Sequence, residues 1–500
     1  MYVPAGSPKT EQFRFGTLFR RKGVDACQAD ADRAEHRLKR SLGVFSLTAL
    51  GIGAVIGAGI FSSPGTAAAG GGSHIAAGPA LMVSYFLVAV ACGFAALCYA
   101  EMASMVPVAG SAYTYAYVTL GEFVAWIIGW DLVLEYAVGN VAVAVSWAEY
   151  FKSLLAGLGL HLPAWMSTTI DHARATPGLM DAAPHLLGIP IVFNLPAGFI
   201  IAVLTTLLVL GVQESARVNT AMVVLKLVTV VGFVAVGAFY IAPPNWQPFA
   251  PNGLRGILSG ASLIFFAYIG FDAVSTTAEE AENPQKDIPR AMIATLAICT
   301  VLYVLVTAVL TGMVPWQALG VGDPLALALQ TAGLQKLAGV LSFGAVIAMT
   351  AVLLVFQLGQ PRILMVMARD GLLPPWAAKV HPRFRTPYVT TILTGVFVGV
   401  PAMFVDINEA IEFTNIGTLF AFVLVSLGVI ALRRSEPDRP RPFRCPGVPV
   451  LPLISVVSCT ILMVYLPAIT WWRFAVWQTL GVALYFLYGR RRSRLAGAAR

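Results

Sequence analysis

Long apolar stretches separated by short polar ones run through almost the whole chain. Twelve of them reach about the 20 residues that a helix needs to cross a bilayer: 43–68, 76–105, 117–152, 195–214, 218–241, 254–280, 288–314, 335–368, 387–405, 410–433, 450–467 and 468–489. We interpret each as a helix, because a lone strand cannot satisfy its backbone in lipid and the short alternating pattern of a barrel is missing. The pattern predicts an all-α polytopic membrane protein with 12 transmembrane helices, or eleven if the last pair, which meets near Pro467, forms one span.

The composition supports a membrane protein over the other classes. Of 500 residues, 58% are apolar and 12% are charged, against about 25% charged in a typical soluble domain. A soluble protein of this size could not bury so much apolar surface, and a disordered chain would not carry it. Six cysteines, none of them in a predicted outer loop, argue against a disulfide scaffold.

Basic residues predict the orientation. With the amino terminus in the cytoplasm, 27 Lys and Arg fall on the cytoplasmic side and five fall outside, as the positive-inside rule requires. Residues 1–42 then form a polar cytoplasmic tail without a cleavable signal peptide, and 490–500 form a basic cytoplasmic tail. We therefore expect a multi-pass protein of the plasma (cytoplasmic) membrane with both termini inside. The net charge of +8 is explained by this distribution and does not indicate nucleic-acid binding.

The sequence predicts no metal site, cofactor or enzyme chemistry. The longest outer segment, 153–194, carries His161, His172 and His185, whose spacings of 11 and 13 are wider than the close pairs of a zinc site. No phosphate-binding loop or nucleophile motif appears. We interpret this segment as an extracytoplasmic insertion with scattered histidines.

Two predicted spans carry glycine near mid-membrane: GIGAVIGAGIF at 51–61 and FFAYIGFD at 265–272. Paired glycine interruptions in matching spans are typical of transporters built from inverted repeats. Where a helix unwinds, free N–H groups attract a carboxylate and free C=O groups accept from an ammonium. The pair of breaks therefore suits an α-amino acid. The alternative is that Gly57 and Gly59 only allow close helix packing.

Four motifs resemble amino acid permeases of the amino acid–polyamine–organocation superfamily, most closely the cationic amino acid transporter family and its bacterial members: LGIGAVIGAGIFSSPG (50–65), EMASMVPVAGSAYTYAY (101–117), FFAYIGFDAVSTTAEEAENPQKDIPRA (265–291) and GQPRILMVMARDGLLPPW (359–376). The resemblance implies a leucine-transporter-like fold of five plus five helices within a transmembrane domain at 43–489. Its inverted repeats would cover about 43–241 and 254–433, and two extra helices would occupy 450–489. It also implies alternating access around one amino acid.

The same resemblance implies a substrate site at the two breaks. The carboxylate would meet the amides of Ala58, Gly59 and Ile60. The amino group would meet carbonyls near Val55, Ile56, Phe266, Ala267 and Ile269, with Phe266 as an aromatic gate. At two positions the chain departs from relatives: Ala58 replaces a serine found in some, and Asp272 replaces a glutamate found in distant ones.

Lys226 is the lone lysine of the fifth predicted span, about 12 Å deep at 1.5 Å per residue. An ionised lysine there should face the bundle interior and have a partner, although snorkelling to the interface is the alternative. In proton-coupled relatives a lysine at this place bonds the broken first helix. The resemblance therefore implies that Lys226 couples proton movement to transport.

Selectivity is expected from spans 3, 8 and 10, whose polar or bulky candidates are Glu135, Asn140, Met349, Thr350, Asn415 and Thr418. Glu135 could recognise a cationic side chain, pair with Lys or Arg, or cap a helix. By resemblance to bacterial members, Met349 could close the pocket and favour small or neutral amino acids. Elsewhere, Asp287 just before Pro289 predicts the start of the seventh span.

The expected function is proton-coupled import of an L-amino acid by a secondary transporter in contact with membrane lipid. The alternatives are an amino acid exchanger, a polyamine carrier, or a sensor that binds an amino acid without transporting it. The sequence leaves open whether a small single-span partner helix binds.

Overall fold

The computed structural model describes residues 18–23, 42–71, 74–106, 111–211 and 216–494. The predicted tails 1–42 and 490–500 therefore lie largely outside the described residues. The helices α1 to α21 are, in order, Val44–Val55, Ala58–Phe61, Ser63–Ala69, Leu81–Met105, Ser111–Thr119, Glu122–Val133, Gly139–Gly157, Ile170–Ala175, Leu179–Ala182, Leu195–Val209, Ala216–Gly237, Gly253–Ile264, Ala273–Thr276, Pro284–Met313, Pro324–Thr331, Gln335–Arg369, Tyr388–Ala402, Ile407–Ser435, Val450–Val464, Ala468–Leu484 and Arg490–Arg492.

Short elements connect or extend these helices. The 3₁₀ turns are Gly78–Ala80, Ala164–Met166, Ala238–Tyr240, Pro243–Trp246, Phe265–Tyr268, Ala278–Glu280, Trp316–Leu319 and Pro375–Ala378. Two π-helical turns, Leu134–Val138 and Tyr485–Gly489, continue α6 and α20. The strands β1 (His185–Leu186) and β2 (Ile189–Pro190) form an antiparallel hairpin within the predicted insertion 153–194.

The helices confirm an all-α polytopic membrane protein. Among the described residues, seven helices are long and apolar enough to cross a membrane by themselves. Two bent pairs pass the same test: Val44–Val55 with Ala58–Ala69, at 55°, and Val450–Val464 with Ala468–Arg492, at 114°. The shorter apolar helices Leu195–Val209 and Tyr388–Ala402 complete the set.

Two predicted helix starts are wrong. The third span does not begin at 117, because the chain turns at Gly121 and α6 starts at Glu122. Gly121 has φ of 99°, and a Cβ there would lie 2.7 Å from the backbone of Phe19, so glycine is required. The helix of the seventh span begins at Pro284, three residues before Asp287. Asp287 instead accepts a hydrogen bond from the Asn283 N–H at 3.1 Å and so stabilises that earlier start.

The long helices surround the broken first helix. Helix α14 packs along α4 and α1, and α7 packs along α16. Residues 51–65 are all buried. The interrupted backbone therefore lies in the centre of the bundle, where free polar groups must be satisfied by protein or by a bound molecule.

Candidate functional site

The first break separates α1 from α2. Helix α1 ends at Val55, and Ile56 has an extended backbone with ψ of 99°. Gly57 precedes α2, which resumes at Ala58. The two helical parts meet at 55°, so the chain re-enters the bundle in a new direction.

The second break follows α12. The helix tightens to a 3₁₀ turn over Phe265–Tyr268, and Ile269 is extended with ψ of 136°. Gly270 has φ of 107°, a conformation that residues with a Cβ rarely adopt. Helix α13 then begins at Ala273.

The two breaks lie against each other. A Cβ on Gly59 would lie 2.2 Å from the Cα of Ala267, and a Cβ on Gly270 would lie 3.2 Å from the carbonyl carbon of Ala54. The backbones therefore touch without intervening side chains. This reciprocal contact brings the first turn of α2 beside the exposed peptides of the second break.

The start of α2 offers backbone N–H groups that have no backbone hydrogen-bond partner among the described residues. The first N–H groups of a helix have no intrahelical partner, and here they belong to Ala58 and Gly59. Ile60 differs from the expectation, because its N–H donates to the Gly57 carbonyl at 3.1 Å. An anion such as a carboxylate would be stabilised at this end by the N–H groups and the helix dipole.

Tyr303 of α14 connects the carbonyls of both breaks. Its hydroxyl lies 3.1 Å from the Val55 oxygen and 2.9 Å from the Ala267 oxygen. The Phe266 carbonyl accepts from the Ile269 N–H at 3.3 Å. Each carbonyl oxygen has two lone pairs, so these bonds leave acceptor capacity for a cation.

Lys226 of α11 is fully buried and reaches the first break. Its Nζ donates to the Gly53 carbonyl at 2.6 Å and to the Ile56 carbonyl at 3.1 Å. The 2.6 Å distance is short, as hydrogen bonds from a charged donor are, and the 3.1 Å distance is ordinary. The snorkelling alternative is therefore wrong, because the side chain points into the bundle and supports the last turn of α1.

A narrow cavity opens between the breaks and helices α7 and α16. Its lining combines Ala54, Val55, Gly57, Ala58, Gly59, Val143, Phe266, Ile269, Val352 and Phe356. The volume open to the centre of a water molecule is about 10 Å³, which is close to the minimum that one water needs. Apart from backbone groups, every lining side chain is apolar. The arrangement provides a polar end for a zwitterion and an apolar end for its side chain.

Five of the nine predicted substrate-binding residues line this cavity: Val55, Ala58, Gly59, Phe266 and Ile269. Ile56, Ile60 and Ala267 belong to the same breaks but do not line it, and Met349 does not line it either. Met349 instead lies with its sulfur 3.0 Å from the Ser146 hydroxyl. Val143, Val352 and Phe356 line the cavity and were not predicted. They are ordinary apolar residues within apolar spans, so only the rotation of α7 and α16 identifies them.

The polar selectivity candidates mostly hold helices together. Asn140 donates to the Gln357 side chain at 2.9 Å, and Thr350 accepts from the Trp147 indole at 2.9 Å. Asn415 donates to the Ser262 and Leu263 carbonyls at 2.8 and 3.0 Å. Such interhelical bonds are typical of polar side chains in membrane bundles.

Glu122 and Glu135, two of the acidic residues of the third span, have different surroundings. Glu135 lies in the π-helical turn beside Thr418. Its Oε1 has no hydrogen-bond partner among the residues that the structure describes. Glu122 accepts from the Tyr485 hydroxyl at 3.0 Å and also contacts Ser493 and Tyr117. Glu122 thus connects the start of α6 with the end of the chain, which is a structural arrangement.

The segment 316–323 packs against α3. A Cβ on Gly65 would lie 2.4 Å from the Leu319 carbonyl oxygen. Asp323 accepts a hydrogen bond from Ser153 at the end of α7. Burial raises the pKa of Asp323 to about 6, because the charged carboxylate loses hydration. The contact between Ser153 and Asp323 joins the end of α7 to the segment 316–323.

The sequence is similar to known membrane transport proteins over most of its length. A sequence model described as amino acid permease matches residues 42–488. The chain is 49% identical over 481 residues to the branched-chain amino acid permease BcaP of Bacillus subtilis, covering 96% of this chain and 99% of that protein. It is 46% identical over 479 residues to the methylthioribose transporter of Bacillus subtilis, covering 96% and 99%. It is 39% identical over 428 residues to the vacuolar cationic amino acid transporter 4 of Arabidopsis thaliana, covering 84% and 68%.

Proposed function

Because the chain belongs to the amino acid permease family, we propose that it is a secondary active transporter that imports an L-amino acid by alternating access, driven by a proton gradient. In this proposal 12 transmembrane helices form two inverted repeats, at about 43–241 and 254–433, followed by extra helices at 450–489. The protein lies in the plasma membrane with both termini in the cytoplasm.

The observation that supports the proposal best is the contact between the two breaks. Ala58, Gly59 and Val55 line one cavity, and the Tyr303 hydroxyl links the Val55 carbonyl to the Ala267 carbonyl of the second break. A carboxylate and an ammonium on the same carbon can use both sets of groups. Since the cavity volume of about 10 Å³ is close to the minimum for one water, an amino acid needs α2 and the second break to move apart from α7 and α16.

Proton coupling is supported by Lys226. Protonated, it donates to the Gly53 and Ile56 carbonyls and stabilises the end of α1. Deprotonated, it loses the charge that strengthens these bonds, and α1 gains freedom to move. A proton that binds and leaves at this position changes the stability of the first break, which is the coupling that symport needs.

The apolar lining favours an amino acid with an apolar side chain. Val143, Val352 and Phe356 offer no partner for a charged side chain, and burying an unpaired charge there is costly. The name of the BcaP relative agrees with this preference. The methylthioribose transporter has nearly the same identity, so methylthioribose belongs among the compounds tested.

Uptake into proteoliposomes tests the proposal. The purified chain should accumulate labelled leucine or valine when the lumen is alkaline, and an imposed sodium gradient should not replace the proton gradient. Arginine, putrescine and methylthioribose should compete weakly. Exchange without accumulation would identify an exchanger, and saturable binding without flux would identify a sensor; either result contradicts proton-driven import.

Val352→Ala should enlarge the apolar end of the cavity. A Cβ on Gly57 would lie 2.9 Å from the Val352 side chain, so Val352 sits directly against the first break. Losing two methyl groups should improve competition by phenylalanine relative to valine roughly tenfold, the usual effect of a methylene-sized change in an apolar pocket. Competition assays against labelled valine measure this ratio.

Val340→Ala is the matched control, because Val340 lies on the same helix α16 but is 65% exposed. It should leave the ratio of phenylalanine to valine competition unchanged. An unchanged ratio in Val352→Ala as well would place the side-chain subsite elsewhere.

A further inference from the structure

A buried histidine–glutamate pair joins three distant parts of the chain. The His74 Nε2 lies 2.6 Å from the Glu412 Oε1, and both side chains are 4% exposed. The Thr470 hydroxyl donates to the other Glu412 oxygen at 2.6 Å. His74 follows α3, Glu412 lies in the first turns of α18, and Thr470 lies in the first turn of α20. We name these three residues the outer cluster.

The backbone around His74 is tied directly to the substrate-site helices. Ala77 N–H donates to the Ala67 carbonyl of α3 at 3.0 Å. Ile75 N–H donates to Ser259 of α12 at 3.1 Å, and Asn252 donates to the Ala76 carbonyl at 2.9 Å. The segment 74–77 therefore moves with α3 and α12, which are the continuations of the two breaks. The side chain of His74 joins that unit to α18 and α20.

We propose that the outer cluster is a proton-binding latch that holds the substrate-site helices against α18 and α20 and must open before substrate enters from outside. The proposal rests on the proposed transport function and orientation, which place the ends of α3, α18 and α20 on the outer side. Histidine is the side chain that ordinarily gains or loses a proton near neutral pH. Its ligand here is the external proton.

The direction of the expected pH effect follows from the charges around the His74 imidazole. Among the described residues, the charged group that faces His74 is Glu412, and Arg473 and Glu409 lie beyond it, paired at 2.6 Å. The His74 Nδ1 has no hydrogen-bond partner among the described residues, so the protonated ring is stabilised through Nε2 and the carboxylate. Opening the latch removes the carboxylate. We therefore expect external acid to favour the closed latch, because only a protonated ring carries a charge that the Glu412 carboxylate can attract across 2.6 Å.

His74→Gln tests the latch, because glutamine can still donate to Glu412 but does not titrate. The assay is exchange of labelled leucine in proteoliposomes with the lumen fixed at one pH and the external pH set to 5.5 or 8.0. In the wild-type protein, exchange should be slower at pH 5.5. The ratio of the exchange rate at pH 8.0 to the rate at pH 5.5 should be about fivefold smaller in His74→Gln and close to one. A roughly fivefold change corresponds to a modest coupling between two sites.

His161→Gln is the matched control, since His161 is an exposed histidine of the segment 153–194, and it should keep the wild-type ratio. Glu412→Gln keeps the side-chain shape and should reproduce the effect of His74→Gln. If both variants of the pair keep the wild-type ratio, the latch proposal is overturned.

A stability measurement separates the latch from the transport function. The thermal stability of the detergent-solubilised protein should drop more in His74→Gln at pH 5.5 than at pH 8.0, relative to wild type. A wild-type protein that carries no amino acid would sink the transport proposal while this readout still tests the latch. An equal drop at both pH values would show that His74 only packs and would contradict a proton-binding role.

Discussion

Lys226→Ala should abolish proton-driven accumulation of the substrate. The Gly53 and Ile56 carbonyls lose their charged donor, and each hydrogen bond to a charged group contributes about 1.5–3 kcal/mol. The loss of one such bond is enough to change the balance between conformations roughly tenfold or more. Accumulation of labelled leucine with an alkaline lumen, compared with the wild-type protein, measures the effect.

A second substitution separates coupling from structure. Lys226→Gln retains a donor for the two carbonyls but cannot carry a proton, so the protein should fold, bind substrate and exchange it without responding to the proton gradient. Lys286→Ala, at an exposed lysine near the start of α14, should behave like wild type. Proton-driven accumulation that persists in Lys226→Gln would contradict the assigned role.

Gly59→Ala should have the largest effect of any single methyl group added to the chain's substrate site. The new Cβ would lie 2.2 Å from the Cα of Ala267 and 2.8 Å from its backbone nitrogen. Backbone atoms cannot rotate away, so the two breaks must separate. Overpacking usually costs about 1–3 kcal/mol, and here the cost falls on the site itself. Substrate binding, measured by stabilisation of the detergent-solubilised protein on adding leucine, should be lost.

Gly93→Ala is the control for this substitution. Gly93 lies within helix α4, and a Cβ there would meet nothing within 4 Å. Alanine in an open helical position stabilises the helix by about 1 kcal/mol relative to glycine, so the control should be as stable as wild type or more so. Normal substrate binding in Gly59→Ala would show that the breaks do not need to touch.

The sequence predicts the membrane class and the two breaks because these features are local. Long apolar runs identify membrane helices, and Gly57, Gly59 and Gly270 mark the interruptions. The depth of Lys226 in its span likewise predicts that the side chain faces inward. The family resemblance is confirmed by the match over residues 42–488.

The sequence did not determine how each helix is rotated about its own axis, and therefore which of its residues face the cavity. Met349 and Val352 lie three residues apart on α16, so both are reasonable candidates for the same face. In the structure Val352 lines the cavity, while Met349 contacts Ser146. An apolar span gives no amphipathic pattern from which its rotation could be read. The polar candidates Asn140 and Asn415 were misleading for a related reason, since polar groups in such bundles also join helices.

Contacts between distant residues were also beyond the sequence. His74 and Glu412 are 338 positions apart, and neither stands in a recognisable motif. Glu101 does begin one of the quoted motifs, but the motif does not reveal that its carboxylate pairs with Arg433 at 2.8 Å and Arg441 at 3.2 Å. Each of these pairs depends on how whole helices assemble.

The hydroxyl of Tyr303 has a consequence for the transport cycle. Because the Tyr303 hydroxyl lies within hydrogen-bond distance of both the Val55 and the Ala267 carbonyls and has one proton to share between them, a shift of either interrupted helix changes how this side chain bonds the other. Motion of one interrupted helix is thereby coupled to motion of the other through α14, the helix that carries Tyr303. In the proposed transport mechanism the two interrupted helices would then move together, so that the substrate site would not open to both sides of the membrane at once.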